Sequence, residues 1–367
     1  MEKELLHYFE QVEDPRVIGR CSHLLSDILV VAVCTYLTGG TDYQDMYLFC
    51  KERGDELKGS LLKLPNGAPS VDTFERVLKR LKPEALKQCL DFFGKELLSD
   101  LSEKQIILDG KKLKGAAPTG TGFSGTHILN AWVGENRICV GQQKIADKSN
   151  EITAIPKVLN SLDIEEAVVS IDAIGTQTAI VEQIRHQKGH YLLSVKSNQK
   201  DLLTEIKHAF KHHKPLDIIE DVDKDHGRIE TRRCSILPAK DILMDEVLQS
   251  WQDLTTVVMV ESTREVKGVI TEKTRYYISD ENVQKAAYYQ SLVRGHWSIE
   301  NHLHWHLDVT FNEDQCRART GNAPENLSLI RKLSLQIIST AKDKLSMKKR
   351  QYKAAINTEY MKILLGI

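Results

Sequence analysis

Residues 105–115 read QIILDGKKLKG, and at this stretch the chain changes character. Residues 105–113 of it form a strand, largely apolar yet carrying Asp109 in its middle. A carboxylate there is costly unless it is paired, hydrogen-bonded or bound to a cation. Downstream, residues 127–133 and 137–145 are two more strands joined by the short turn Gly134-Glu135-Asn136. A helix follows over 149–162. Residues 167–171 form an apolar run ending on Asp172, then come a helix over 176–187, a strand over 190–195 and a helix over 200–212. Three consecutive strands followed by alternating helices and strands predict a mixed α/β sheet flanked by helices.

Upstream of about Ser102 the chain reads as helix throughout. Residues 26–37 are apolar on all sides and stop at Gly39-Gly40, a buried helix, and 41–50 form a second. Ser70 or Asp72 caps a third, in which Phe74, Val77, Leu78 and Leu81 recur at helical spacing until Pro83 ends it. Short helices with tight turns are compatible with a helix-turn-helix and equally with a helical support. From about 215 to 280 the pattern is interrupted. An acidic opening, DIIEDVDKD, precedes strand candidates at 227–237, 254–262 and 273–278, a β-rich insertion. Helix resumes near Val283. The expected division is therefore 1–102 helical, 103–214 first part of an α/β core, 215–282 insertion and 283–367 helical remainder with a basic tail.

Composition narrows the function. Lys plus Arg number 50 and Asp plus Glu 51, so the net charge of −1 argues against a wholly basic, histone-like binder but not against a local basic surface. From Arg317 onward basic residues outnumber acidic ones 11 to 3, so charge is segregated along the chain. Seven scattered cysteines without a C-x-x-C pair fit neither a disulfide framework nor a thiolate zinc site. The acidic, amphipathic start is unlike a signal peptide, and the longest apolar run is too short for a bilayer. Both predict a cytoplasmic protein without membrane association.

Asp109 in mid-strand and Asp172 at a strand end are joined by a third candidate, Glu300, in RGHWSIENHLHWHLDVTFNED. On an α-helix His296, Glu300 and His304 share one face. Two strand aspartates and a helix glutamate suit two hard divalent cations about 3.5–4 Å apart, the arrangement for in-line phosphoryl transfer. Lys111, Lys112 and Lys114 follow the first aspartate, and Lys196, Asn198 and Gln199 end the next strand. These, with His226 and Arg228 in the insertion, are candidate contacts to the phosphates of such a substrate. His302, His304 and His306 have strand-type zinc spacing in a helical stretch, which favours core or DNA-facing histidines over a zinc site. Trp297 and Trp305 read as core.

Nine motifs in order carry a resemblance. They are DPR (14–16), GAPSVDTFERV (67–77), LDGKKLKG (108–115), DKSNEITAIP (147–156), DAIGTQ (172–177), KSNQ (196–199), HGRIETR (226–232), HWSIENHLHWHLDVTFNED (296–314) and NLSLIRK (326–332). Together they make the chain similar to the H-repeat-associated transposases, the ISAs-one group within the DDE transposases of bacterial insertion sequences. The resemblance implies a ribonuclease-H-like core with a helical N-terminal domain, and Asp109, Asp172 and Glu300 as its catalytic, metal-holding triad. It implies two Mg²⁺ ions (Mn²⁺ substituting), cleavage at the element's ends and transfer of the freed 3′-hydroxyl to a target strand. The implied partners are double-stranded DNA, both inverted repeats and target, and a homodimer or higher oligomer in a synaptic complex, nucleoid-associated when on DNA.

One pattern departs. The wider superfamily's Tyr-(2)-Arg-(3)-Glu-(6)-Lys signature is here Val293, His296, Glu300 and Leu307. The DNA contacts of that Arg and Lys therefore do not transfer, and His296 and Asn301 stand as the local alternatives. Two other readings compete: a transposase-derived DNA-binding protein that no longer transposes, and a ribonuclease-H-like nuclease that cuts without joining.

Overall fold

The computed structural model describes residues 4–98, 100–117, 125–146, 150–225 and 227–366. Its elements run α1 (Glu4–Gln11), α2 (Leu25–Leu37), α3 (Tyr43–Leu57), α4 (Val71–Arg80), α5 (Pro83–Leu97), β1 (Gln105–Leu113), β2 (Thr126–Val133), β3 (Ile138–Ile145), α6 (Glu151–Leu159), β4 (Val168–Ile171) and α7 (Thr178–His186). There follow β5 (His190–Val195), α8 (Lys200–His212), β6 (Asp217–Asp225), β7 (Arg228–Pro238), α9 (Asp245–Ser250), β8 (Thr256–Val266), β9 (Val269–Ser279), α10 (Ala286–His296), α11 (Ala323–Ser339), α12 (Met347–Ile356) and α13 (Thr358–Leu365). The class is mixed α/β, as expected.

Among the described residues the nine strands form one sheet in the order β3-β2-β1-β4-β5-β9-β8-β7-β6. β1, β4 and β5 are parallel, whereas β2 and β3 on one side and β9, β8, β7 and β6 on the other are antiparallel. The expected insertion is thus four strands that extend the same sheet. Its acidic opening, expected only as a lead-in, is the edge strand β6. The pairing supplies the reason, since Glu220 and Asp221 lie opposite Arg233 and Arg232 of β7.

Alternation along the strands separates two faces. Ile106, Leu108, Val169, Ile171, Tyr191 and Leu193 face a core shared with α6, α7 and α8. Val168 and Leu192 face α10, and Ile107 faces Ile299, Leu303 and Leu307 of the segment that follows it. Asp109 shares parity with Ile107, and Asp172 with Val168 and Ser170, so both aspartates belong to the α10 face. The last β1–β4 pair is Leu108 with Ile171, and one step beyond it the register sets Asp109 beside Asp172.

The helical parts do not stay separate. Helices α2 to α5 and α11 to α13 share one continuous core that also takes in Trp132 and Leu307. Helix α11 runs against α2, α4 and α5. Within it Asn326 donates to the carbonyls of Leu78 and Leu81, and Lys332 reaches Gln142 of β3. Ser70 caps α4 by accepting the Thr73 N–H. Pro83 is the first residue of α5, the position where its missing N–H costs nothing.

Candidate active site

The site grows from three places in the sheet. Asp109 sits on β1 where that strand outruns β4, Asp172 follows β4, and Glu300 stands on the segment after α10. Asp172 accepts the N–H of Ile174, which closes the turn that carries it. Asn198 donates to the carbonyl of Ala173, and Gln199 to that of Thr176, so both brace this turn. A cleft of about 210 Å³ brings Asp109, Asp172 and Glu300 together with Lys196, Arg275 and His296.

The segment that carries Glu300 is not α-helical. Residues Ile299–His304 and His306–Thr310 wind as π-helix, with N–H groups of Trp305 and Phe311 bonded five residues back to Glu300 and His306. The α-helical winding expected for His296, Glu300 and His304 is therefore corrected from Ile299 onward, although His296 and Glu300 still line the cleft and His304 still reaches Asp109. π-segments occur often at functional sites. Trp297, just before the first π stretch, and Trp305, between the two, are both on the surface, against their reading as core. Trp297 instead lies under the Arg275 guanidinium, 5.2 Å from ring centroid to Cζ.

Electrostatics mark Asp109. Burial, aided by the neighbouring carboxylates of Glu151, Asp172 and Glu300, pushes its pKa up to about 7. Burial and the Asp172 charge likewise raise Glu151. His304 Nδ1 lies 3.5 Å from Asp109 Oδ2, but burial and then Lys111 and Lys332 push the ring down to about 3, so it stands there neutral. Its Nε2 is 3.4 Å from Asn130 Nδ2. His296 is pushed down to about 4 by burial, and its Nδ1 lies 3.1 Å from Ser170 Oγ. Gln105 donates to that same Ser170 and to the carbonyl of Leu292, which ties β1, β4 and α10 together beneath the cleft.

The basic candidates divide. Lys111 is buried, its Nζ 2.6 Å from Asp308 with Glu313 and Asp314 beyond, so it faces the interior rather than an outside ligand. Lys112 and Lys196 are exposed, and Lys114 is exposed but paired with Asp314 at 2.8 Å. Arg228 lies at the outer end of the β6–β7 hairpin, 4.0 Å from Glu230, and His226 lies outside the described residues. Asn301 is exposed beside Glu300. In the basic C-terminal stretch Arg331 and Lys332 are fully buried, and Arg350 donates to the carbonyls of Ile338, Ala341 and Asp343, while Lys342, Lys344, Lys348 and Lys349 stay exposed. Sequence reasoning missed Gln105, Ser170, Glu151 and Arg275. Only Glu151 had a signal, its place within DKSNEITAIP.

Among the described residues no group of three or more His, Cys, Asp or Glu side chains is close enough to hold a metal ion as the side chains stand. The donor chemistry fits one nonetheless. Asp109 lies within electrostatic reach of Glu151, Asp172 and Glu300, its carboxyl is held far above its ordinary range, and the imidazoles of His296 and His304 nearby are neutral. Oxygen donors with uncompensated charge are what hard divalent cations select.

Known proteins agree in class. The Transposase DDE domain model matches residues 100–337, and the DDE_Tnp_1-associated model matches residues 6–93. The chain belongs to the DDE transposase family. It is 35% identical to "Putative transposase YncI" of Escherichia coli O157:H7, over 99% of this chain and 95% of that protein. It is 32% identical to "H repeat-associated putative transposase YhhI" of Escherichia coli strain K12, over 99% and 98%. No helix among the described residues is long and apolar enough to cross a membrane.

Proposed function

We propose that this chain cleaves DNA at the ends of an insertion sequence and transfers the freed 3′ ends into target DNA, on a ribonuclease-H-like core. The observation that carries this reading is the cleft itself, with uncompensated carboxylates at its floor and the cations Lys196 and Arg275 at its side. Asp109, Asp172 and Glu300 would hold two Mg²⁺ ions, with Mn²⁺ as a substitute. When bound, such ions stabilise charge on phosphoryl oxygens and lower the pKa of water.

The chain's own residues do the rest. Lys196 and Arg275 receive backbone phosphates, with exposed Lys112 further along β1. Ser170 and Gln105 fix His296 at the cleft wall, and Asn198 and Gln199 hold the Asp172 turn in place. Buried His304 stays neutral, so it orients Asp109 without cancelling its charge. The β6–β9 extension offers exposed arginines and lysines for longer DNA contacts, and two copies of the chain would pair the two element ends.

The test is an assay on DNA carrying the element's own inverted repeats with Mg²⁺. Cleaved and joined products support the proposal. Cleavage without joining would favour a nuclease, and binding without cleavage a transposase-derived binder.

A further inference from the structure

A fourth carboxylate enters the site from the opposite face of the sheet. Glu151 is the first residue of α6, which packs on β2 and β3 in the layer away from α10. Its carboxylate is folded onto β1, directly over Gly110. A methyl group at Gly110 would overlap Glu151 Oε1 and crowd its Cδ. Gly110 has the parity of Leu108, so a side chain there would take the place that the Glu151 carboxylate occupies. Beyond Leu108, β1 has no β4 neighbour, so no ladder continues beside Asp109 and Gly110. The absent side chain lets the Glu151 carboxylate lie against the β1 backbone next to Asp109, near enough for its charge to act on that carboxyl.

We propose that Glu151 is a fourth acidic member of the metal-holding set, reaching past Gly110 to share with Asp109 one of the divalent cations. It rests on the functional reading above, because it assigns a further ligand to that same site. Favourable interaction with a helix N-terminus accounts for an acid at the start of α6. It does not account for a glycine beneath that acid on another strand. Nor does a structural partner hold the side chain there: among the described residues no hydrogen bond or ion pair reaches the Glu151 carboxylate. Gly110 is thereby a positioning residue, and its role is to leave room.

The experiment is a Mn²⁺ titration of the full chain without DNA, followed by the electron paramagnetic resonance of the free ion. Wild type, Asp109→Asn, Glu300→Gln, Glu151→Gln and Gly110→Ala are compared, with circular dichroism to establish folding. Glu151→Gln and Gly110→Ala should each weaken Mn²⁺ binding about tenfold or more. Wild-type affinity in Glu151→Gln, with Asp109→Asn impaired, overturns the fourth ligand and leaves the proposed function standing. Wild-type affinity in Asp109→Asn and Glu300→Gln overturns both. Should Glu151→Gln not fold, Glu151→Asp decides in its place: the shortened acid weakens binding if Glu151 is a ligand, and unchanged affinity overturns the inference.

Discussion

Asp109 and Lys111 lie two residues apart on one face of β1, and the fold surrounds their charges in opposite ways. Lys111 meets Asp308, Glu313 and Asp314, and Glu313 in turn lies 3.9 Å from Arg331, so the interior there is acidic and basic together. Asp109 meets Glu151, Asp172 and Glu300, all of its own sign, and a histidine held neutral. A buried charge with its complement holds elements together. A buried charge among its likes marks a candidate site for a ligand of opposite sign. That contrast distinguishes Lys111 from Asp109 within a single strand, where residue type alone could not.

The comparison can be broken most forcefully at Asp109. Asp109→Asn should bring strand cleavage down to background while DNA binding in a gel-shift assay persists. The same variant should be the more stable one when metal is chelated. The sign follows from the raised pKa: between the ordinary 3.8 and about 7 the folded state holds a proton that the unfolded state has lost. Stability from this group is therefore present at low pH and lost as pH rises through that window. His296, His304 and His306 have lowered values and act in the opposite direction, gaining stability as pH rises toward 6.5. The wild-type curve mixes these effects, so the difference between the two proteins is the quantity to measure. The advantage of Asp109→Asn in denaturant unfolding should grow from pH 4 to pH 7, to an order of a few kcal/mol. A constant difference across that range would break the comparison from the acidic side.

Lys111→Met tests the other side. It leaves Asp308 and Glu313 without their central cation and should cost about 3–5 kcal/mol of folding stability. Loss of DNA affinity without loss of stability would instead return Lys111 to the surface role read from the sequence. Lys196→Ala and Arg275→Ala should leave stability nearly unchanged and weaken DNA binding, each lowering the salt slope of log K by about one. Ser70→Ala sets the scale for a purely local contact. Losing that helix cap should cost about 1 kcal/mol in thermal unfolding, with cleavage unchanged.

Much of this was legible in the chain. The strands 105–113 and 190–195 and the helix 200–212 coincide with β1, β5 and α8, because each has a clean period and a clear boundary. Asp109 stood out as a carboxylate in mid-strand and Asp172 as one at a strand end, Glu300 was legible only through its motif, and all three line one cleft. What stayed hidden depends on contacts distant in sequence. β6 is acidic and its strand character shows only in its pairing with β7. Lys111 looks like a surface lysine until Asp308 and Glu313 close over it from nearly two hundred residues away. Trp297 and Trp305 looked like core as large aromatics on the glutamate helix, yet both are exposed, Trp297 at the end of α10 and Trp305 between the two π-wound stretches. Arg275 lies in the insertion, with nothing nearby to mark it as part of the cleft.

The shared core of the early and late helices governs how the molecule comes into being. Residues of α2 to α5 leave the ribosome first, yet Tyr36, Val77 and Leu78 wait for α11 to cover them. At usual synthesis rates of about 5–20 residues per second that wait is on the order of tens of seconds. During it a nascent chain shows an apolar helical surface that folding helpers can hold. The cleft gains its Glu300 segment only late in that same interval, so its lining is whole only once most of the chain has been made.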